Sequence, residues 1–241
     1  MSKNYRTGNF FRLAGVVIVV ATLAGCMKTG SSTNTNNNNV SFITLMHMAP
    51  YAPATEVYFN GDKKTSSIAP GTFSTSYGQV PPGNYDLKFK VAGKDSLLSS
   101  LPASVYDTLN FYTVILFNTP DSAIGAMKIR DDYSNLTTTS SNYRFFNLCP
   151  DAPSVDLFIN TSLVQPGRHT ADNYNISYYN AFQTFASGGY SLTAKKAGTD
   201  SVIATVPSVN LQAGGAYTIF LSGKKGSSSA PVTLNVLQAS Y

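Results

Sequence analysis

Residues 83–102 read GNYDLKFKVAGKDSLLSSLP, and residues 188–207 read GGYSLTAKKAGTDSVIATVP. Nine of the twenty paired positions are identical. From Tyr85 to Val91 apolar and polar residues alternate, the period-2 pattern of a half-buried strand. The strings that follow, Ala92-Gly93-Lys94-Asp95 and Ala197-Gly198-Thr199-Asp200, are hairpin-turn sequences. A strand and a tight turn that recur at a spacing of 105 residues make the chain a tandem repeat of one β module.

The register extends in both directions. Tyr112-Thr113 falls on Tyr217-Thr218 at the same shift. Upstream the shift is 100: Met48-Ala49-Pro50-Tyr51-Ala52-Pro53 falls on Leu148-Cys149-Pro150-Asp151-Ala152-Pro153, and Glu56 to Asn60 on Asp156 to Asn160. The difference of five residues places a longer loop in the second copy, between Thr161 and Gly188. Ile43–Met48 and Tyr143–Leu148 read as opening strands. Val57–Phe59 and Leu157–Ile159 read as short apolar strands ending at an Asn suited to a turn. Tyr112–Phe117 and Tyr217–Leu221 are apolar enough to be central strands, and Ala126–Ile129 and Val232–Leu237 close each copy. No segment has helical periodicity. About seven strands per copy, with turns roughly every ten residues, predict an all-β fold of two tandem Ig-like antiparallel β-sandwich domains. Their expected bounds are 41–133 and 142–241, joined by a polar linker at 134–141.

The first residues carry a different signal. Lys3, Arg6 and Arg12 precede an apolar run from Leu13 to Ala24 that is too short to cross a bilayer, the arrangement of an export signal. The run ends in Leu23-Ala24-Gly25-Cys26, which resembles the lipobox of bacterial lipoproteins. That resemblance implies cleavage after residue 25, a diacylglycerol thioether on Cys26 and acylation of the new amino terminus. Residues 1–25 are then a signal peptide, and 26–40 a lipidated cysteine with an Asn/Ser/Thr-rich flexible tether. Firm attachment follows from several acyl chains, each methylene contributing about 0.8 kcal/mol. Removing the signal leaves fourteen basic and twelve acidic side chains, so the formal charge of +5 falls to +2. So small and scattered an excess argues against a nucleic-acid partner. The expected setting is the cell envelope. Met27, where some Gram-negative bacteria use Asp for inner-membrane retention, favours the outer membrane.

The string Pro-Asp-Ala-Pro followed by acid–apolar–apolar–apolar–Asn resembles the domain-of-unknown-function 4397 family of bacterial envelope proteins, often found in tandem. The family pattern has a His before the motif and Asn-Gly or Asp-Gly after it. The first copy keeps His47, Pro50, Ala52, Pro53, Asn60 and Gly61 but has Tyr51 in place of Asp. The second keeps Pro150, Asp151, Ala152, Pro153 and Asn160, with Asn147 in place of His and Thr161 in place of Gly. Gly-x-Tyr-x-Leu, carrying Tyr85 and Tyr190, also fits. The resemblance spans nearly all of 41–241 and implies a sandwich fold and an envelope setting, with no activity attached. Because each copy lacks one polar residue of the motif, a structural role for these positions is expected. The prolines hold the backbone extended, and Asp151 is suited to an Asx turn onto amides two residues on.

Little in the remaining residues suggests chemistry. The two histidines, His47 and His169, occupy unmatched positions, and no His-Glu-x-x-His, Cys-x-x-Cys or Gly-x-Ser-x-Gly string occurs. No catalytic, metal or cofactor site is therefore expected. A hydrolase with a spatially assembled Ser-His-Asp site ranks last. Asp131-Asp132, the one adjacent acid pair, reads as a solvated linker start, with a junction calcium site as the alternative. Cys149, alone once Cys26 is lipidated, reads as a buried thiol. Fifteen tyrosines and no Trp leave open aromatic platforms for sugars or proteins. The expectation is a non-enzymatic lipoprotein that presents two modules for binding or spacing, with the membrane and a protein or glycan ligand as partners. The alternative is a carbohydrate-binding accessory lipoprotein of an outer-membrane uptake system.

Overall fold

The computed structural model describes residues 39–175 and 179–241. Cys26, the signal and nearly all of the tether lie outside the described residues. The first repeat holds β1 (Ser41–Met48), β2 (Thr55–Phe59), β3 (Asp62–Lys63), β4 (Thr72–Phe73), β5 (Gly78–Val80), β6 (Gly83–Val91), β7 (Leu97–Tyr106), β8 (Phe111–Asn118) and β9 (Ile124–Asp131). The second holds β10 (Ser141–Asn147), β11 (Val155–Ile159), β12 (Ser162–Arg168), a 3₁₀ turn at Thr170–Asn175, β13 (Gln183–Phe185), β14 (Gly188–Lys196), β15 (Val202–Leu211), β16 (Ala216–Ser222) and β17 (Thr233–Gln238). Each repeat folds into two facing sheets, so the all-β tandem sandwich read from the sequence is what the chain forms. In the first repeat the orders are β3-β2-β6-β7 and β4-β1-β8-β9, with β5 also on β1. In the second they are β12-β11-β14-β15 and β13-β10-β16-β17.

One pairing in each repeat is parallel: β1 with β8, Ile43 opposite Tyr112, and β10 with β16, Tyr143 opposite Tyr217. All other pairings among the described residues are antiparallel. Parallel neighbours need a long crossover, and here most of the repeat, including the whole opposite sheet, supplies it. The bulges repeat too, since β6/β7 slips between Tyr85 and Leu87 and β14/β15 between Tyr190 and Leu192. β7 and β15 end their sheets, and the matched Pro102 and Pro207 lie in them. Proline removes a ladder donor and is tolerated on an edge, where it also blunts pairing with another chain.

Burial explains why the central strands read as continuous apolar runs. β6 buries Leu87 and Phe89 and exposes Lys88 between them, as a strand with one wet face should. β10 and β16 are buried at every position, and β8 at every position after Phe111. One face of β1 and β8 contributes Ile43, Tyr112, Val114 and Leu116 to the first sandwich core, with Val57, Phe59, Leu87 and Phe89 from the opposite sheet. Tyr143, Phe145, Leu157, Leu192 and Ile219 fill the equivalent second core. The reverse faces meet in a third core: Met46, Met48, Ile115, Phe117, Met127 and Ile129 against Phe146, Leu148 and Phe220. β1, β8 and β9 thus meet the strands equivalent to them, and the layers run β2-sheet, β1-sheet, β10-sheet, β11-sheet. Like faces meeting in this way is the logic of a symmetric dimer written into one chain.

Candidate functional site

The Pro-x-Ala-Pro motif forms a tight turn after the first strand of each repeat, closed by Ala52 N–H donating to Ala49 O (3.1 Å) and Ala152 N–H to Cys149 O (3.2 Å). His47, 3% exposed, braces the first turn. Its Nδ1 accepts from Ala49 N–H (3.4 Å), and Nε2 lies 3.0 Å from Pro53 O and 3.2 Å from Thr55 Oγ1. These partners fit a neutral ring with its proton on Nε2, and burial pushes the imidazole below its ordinary range. Asn147 does the same work in the second repeat. Its Oδ1 accepts from Cys149 N–H (3.2 Å), and its Nδ2 donates to Pro153 O (3.4 Å) and Arg168 O (3.2 Å). An acceptor and a donor at similar positions on two different side chains brace the same loop. Asp151, expected to bond within its own turn, instead reaches across to Lys225 N–H (3.0 Å) and accepts from Cys149 Sγ (3.3 Å). In the first repeat Tyr51 stands there, its ring under Lys224 Nζ at 4.4 Å.

Asn60 and Asn160 sit at φ +49° and +51°, a left-handed conformation that Asn tolerates better than most residues. Their Oδ1 atoms accept from Asp86 N–H and Ser191 N–H, both at 2.9 Å, tying each turn to β6 or β14. Tyr85 and Tyr190 pack against Phe59 and Phe185 and donate to Pro81 O (2.8 Å) and Ser187 O (3.4 Å). Tyr112 and Tyr217 are a further matched pair. Each hydroxyl accepts a backbone N–H five residues upstream, from Asp107 (2.9 Å) and Gln212 (2.7 Å), the tyrosine corner of sandwich folds.

The interface between repeats holds a buried polar cluster that the sequence reading missed. Arg144 Nη2 donates to Asp131 Oδ1 at 2.6 Å, with side-chain exposures of 2% and 0%. Asp131 Oδ2 also accepts from Thr113 Oγ1 (2.6 Å) and Tyr77 Oη (2.8 Å), and Arg144 Nε donates to Thr218 Oγ1 (2.9 Å). The guanidinium stacks between Phe146 and Phe182 at 5.3 and 4.7 Å. Burial and the Asp131 charge push the Tyr77 hydroxyl well above the ordinary phenol range. Asp131 is thus no solvated linker start: its oxygens face a guanidinium, a poor setting for calcium. The pair breaks the repeat symmetry, because Thr44 stands in the place of Arg144 and Ala239 in the place of Asp131. Ser141, read as linker, begins β10 and is buried.

Beside this cluster lies a cleft of about 710 Å³. Phe111, Tyr133, Phe182 and Tyr241 form its aromatic wall. Tyr133 is at the centre: 4.1 Å from Tyr241 and stacked (15°), 5.4 Å edge-on to Phe111, and 5.7 Å from Phe182.

The family model described as Domain of unknown function (DUF4397) matches this chain twice, over residues 41–158 and 141–240. The chain belongs to the DUF4397 family. No curated protein matches it. The two matches overlap at 141–158, so the first runs on through β10 and into β11 of the second DUF4397 repeat.

The remaining candidates do not converge. His169 is exposed in the second DUF4397 repeat, far in sequence from buried His47, and its backbone N–H donates to Asp172 Oδ2 (2.9 Å). Cys149 is buried, and burial together with Asp151 pushes its thiol up to about 12. Among the described residues no three His, Cys, Asp or Glu side chains group as metal ligands. The longer segment of the second repeat folds over its own turn. Thr170 Oγ1 donates to Cys149 O (2.9 Å), Asn173 Nδ2 to Asn147 O (2.9 Å), and buried Arg168 stacks on Tyr179 at 4.1 Å.

Proposed function

We propose that this chain is a non-enzymatic cell-envelope lipoprotein, anchored through Cys26, whose two DUF4397 repeats act as one rigid binding and spacing unit. The observation that carries this reading is the bracing of the family motif. The polar atoms of His47, Asn147, Asp151, Asn60 and Asn160 are engaged in holding backbone, so the motif builds a scaffold. The third apolar core and the Arg144–Asp131 pair favour a single stiff body over two modules on a flexible linker. The lipobox and the tether support lipid attachment, Met27 supports the outer membrane, and a tether without an acidic cluster supports the periplasmic face. The test is metabolic labelling with a clickable fatty acid and membrane fractionation. Wild type is expected to carry label and to sediment with outer membrane, and Cys26→Ser to lose label and be released or left uncut. A Cys26→Ser chain that is still cut and labelled refutes the anchor. Degradation of the folded part by protease added to intact cells would move it to the outer face.

A further inference from the structure

We propose that the cleft beside Tyr241 binds a neutral oligosaccharide. This rests on the reading of the folded part as a binding unit. The cleft volume of about 710 Å³ lies in the range of roughly 300–1,000 Å³ usual for small-molecule sites, and a concave wall suits a compact ligand better than a flat protein surface. Tyr241 is stacked on Tyr133 through one face yet remains 54% exposed, which leaves aromatic surface open to the C–H face of a pyranose. Asn135 and Asn180 line the same space, and each planar amide sets a donor beside an acceptor, matching a pair of adjacent hydroxyls.

Charge decides against an anionic ligand. Arg130 and Asp132 are the charged groups at the rim and have opposite signs. Arg130 is tied to Asn110 Oδ1 (2.9 Å), and Asp132 Oδ1 accepts from Ser134 N–H (3.0 Å) and Oγ (2.6 Å). Asp131, also in the wall, is neutralised by Arg144. A sandwich of this kind does not require the Asn110 and Phe111 side chains of the wall. Asn110-Phe111 at the start of β8 corresponds to Gly215-Ala216 in the second repeat, which forms a sandwich without those side chains.

The experiment is calorimetric titration of the purified lipidated protein in detergent micelles with the neutral hexasaccharides of β-glucan, α-glucan, β-mannan and chitin, and with hexagalacturonate. Tyrosine emission gives a second readout, since the chain contains no Trp. At least one neutral probe is expected to bind. Tyr241→Ala is expected to weaken it at least ten-fold, Asn135→Ala less, and Tyr241→Phe, which loses only the bond from the hydroxyl to Gly214 O (2.9 Å) while the ring stays stacked on Tyr133, no more than about two-fold. Silence of every neutral probe at about 5 mM, tighter binding of hexagalacturonate, or binding unchanged by Tyr241→Ala overturns the proposal. A protein that is labelled and membrane-bound through Cys26 but silent in titration loses the ligand assignment alone.

Discussion

His47 and Asn147 offer a direct test of whether the family histidine is there for chemistry or for bracing. His47→Ala removes the acceptor for Ala49 N–H in a site that is 3% exposed, while Pro53 O keeps the Thr55 hydroxyl at 3.1 Å. An orphaned buried donor costs about 1–3 kcal/mol. The lost ring packing adds to it, so the total is about 3–5 kcal/mol, comparable to large-to-small core changes. His47→Asn restores a donor and an acceptor, as Asn147 does at the equivalent turn, and is expected to stay within about 1 kcal/mol of wild type. Urea unfolding followed by circular dichroism measures both. The pH dependence provides an independent arm. Burial lowers the folded pKa of His47 beneath its unfolded value of about 6.5. Between those two values the unfolded chain binds the extra proton, so stability falls as pH drops below about 6.5 and stops falling below the folded pKa. His47→Asn removes that contribution and flattens the curve in this window. If His47→Asn is as damaging as His47→Ala, or keeps the full acid sensitivity, the bracing argument is wrong.

The interface and corner residues make further predictions. Asp131→Ala leaves the Arg144 guanidinium buried without its partner and is expected to cost about 3–5 kcal/mol in denaturant unfolding. The double change Asp131→Leu, Arg144→Met should recover most of it, and a single-mutant loss below about 1 kcal/mol would show the pair to be idle. Tyr217→Phe strips the acceptor from Gln212 N–H and should cost about 1–2 kcal/mol, with Tyr112→Phe similar; a thermal shift of zero in both would dismiss the tyrosine corner. Burial and Asp151 raise the Cys149 thiol to about 12, so the reactive thiolate is scarce and shielded in the folded protein. In the Cys26→Ser chain it should therefore ignore Ellman's reagent until denaturant is added, and rapid native labelling would contradict its burial.

Local pattern by itself determined the doubling, the turns and the alternating or apolar strands, though not the edge strands β7 and β15. Alternation from Tyr85 to Val91, Gly93 and Gly198 at φ near +70° in the hairpins, and Asn60 and Asn160 at their turns act within a few residues, so sequence carries them. The apolar runs of β8 and β16 announced central strands. They could not say what covered the second face, since hydrophobicity is non-directional and the cover is the other repeat. The sequence set Asn147 at the position of His47 but not their shared role, because an imidazole and an amide match only in where they place a donor and an acceptor. Asp131, which reads as a solvated linker start, and Arg144, inside the opening strand of the second repeat, lie thirteen residues apart across the linker, and nothing pairs them until two sheets bury them together. The aromatic cleft is likewise assembled from four separate segments, 109–111, 130–136, 180–182 and Tyr241. Sequence determined the module; the packing of one repeat on the other, which depends on three-dimensional complementarity between distant strands, decided the shared core, the buried pair and the cleft.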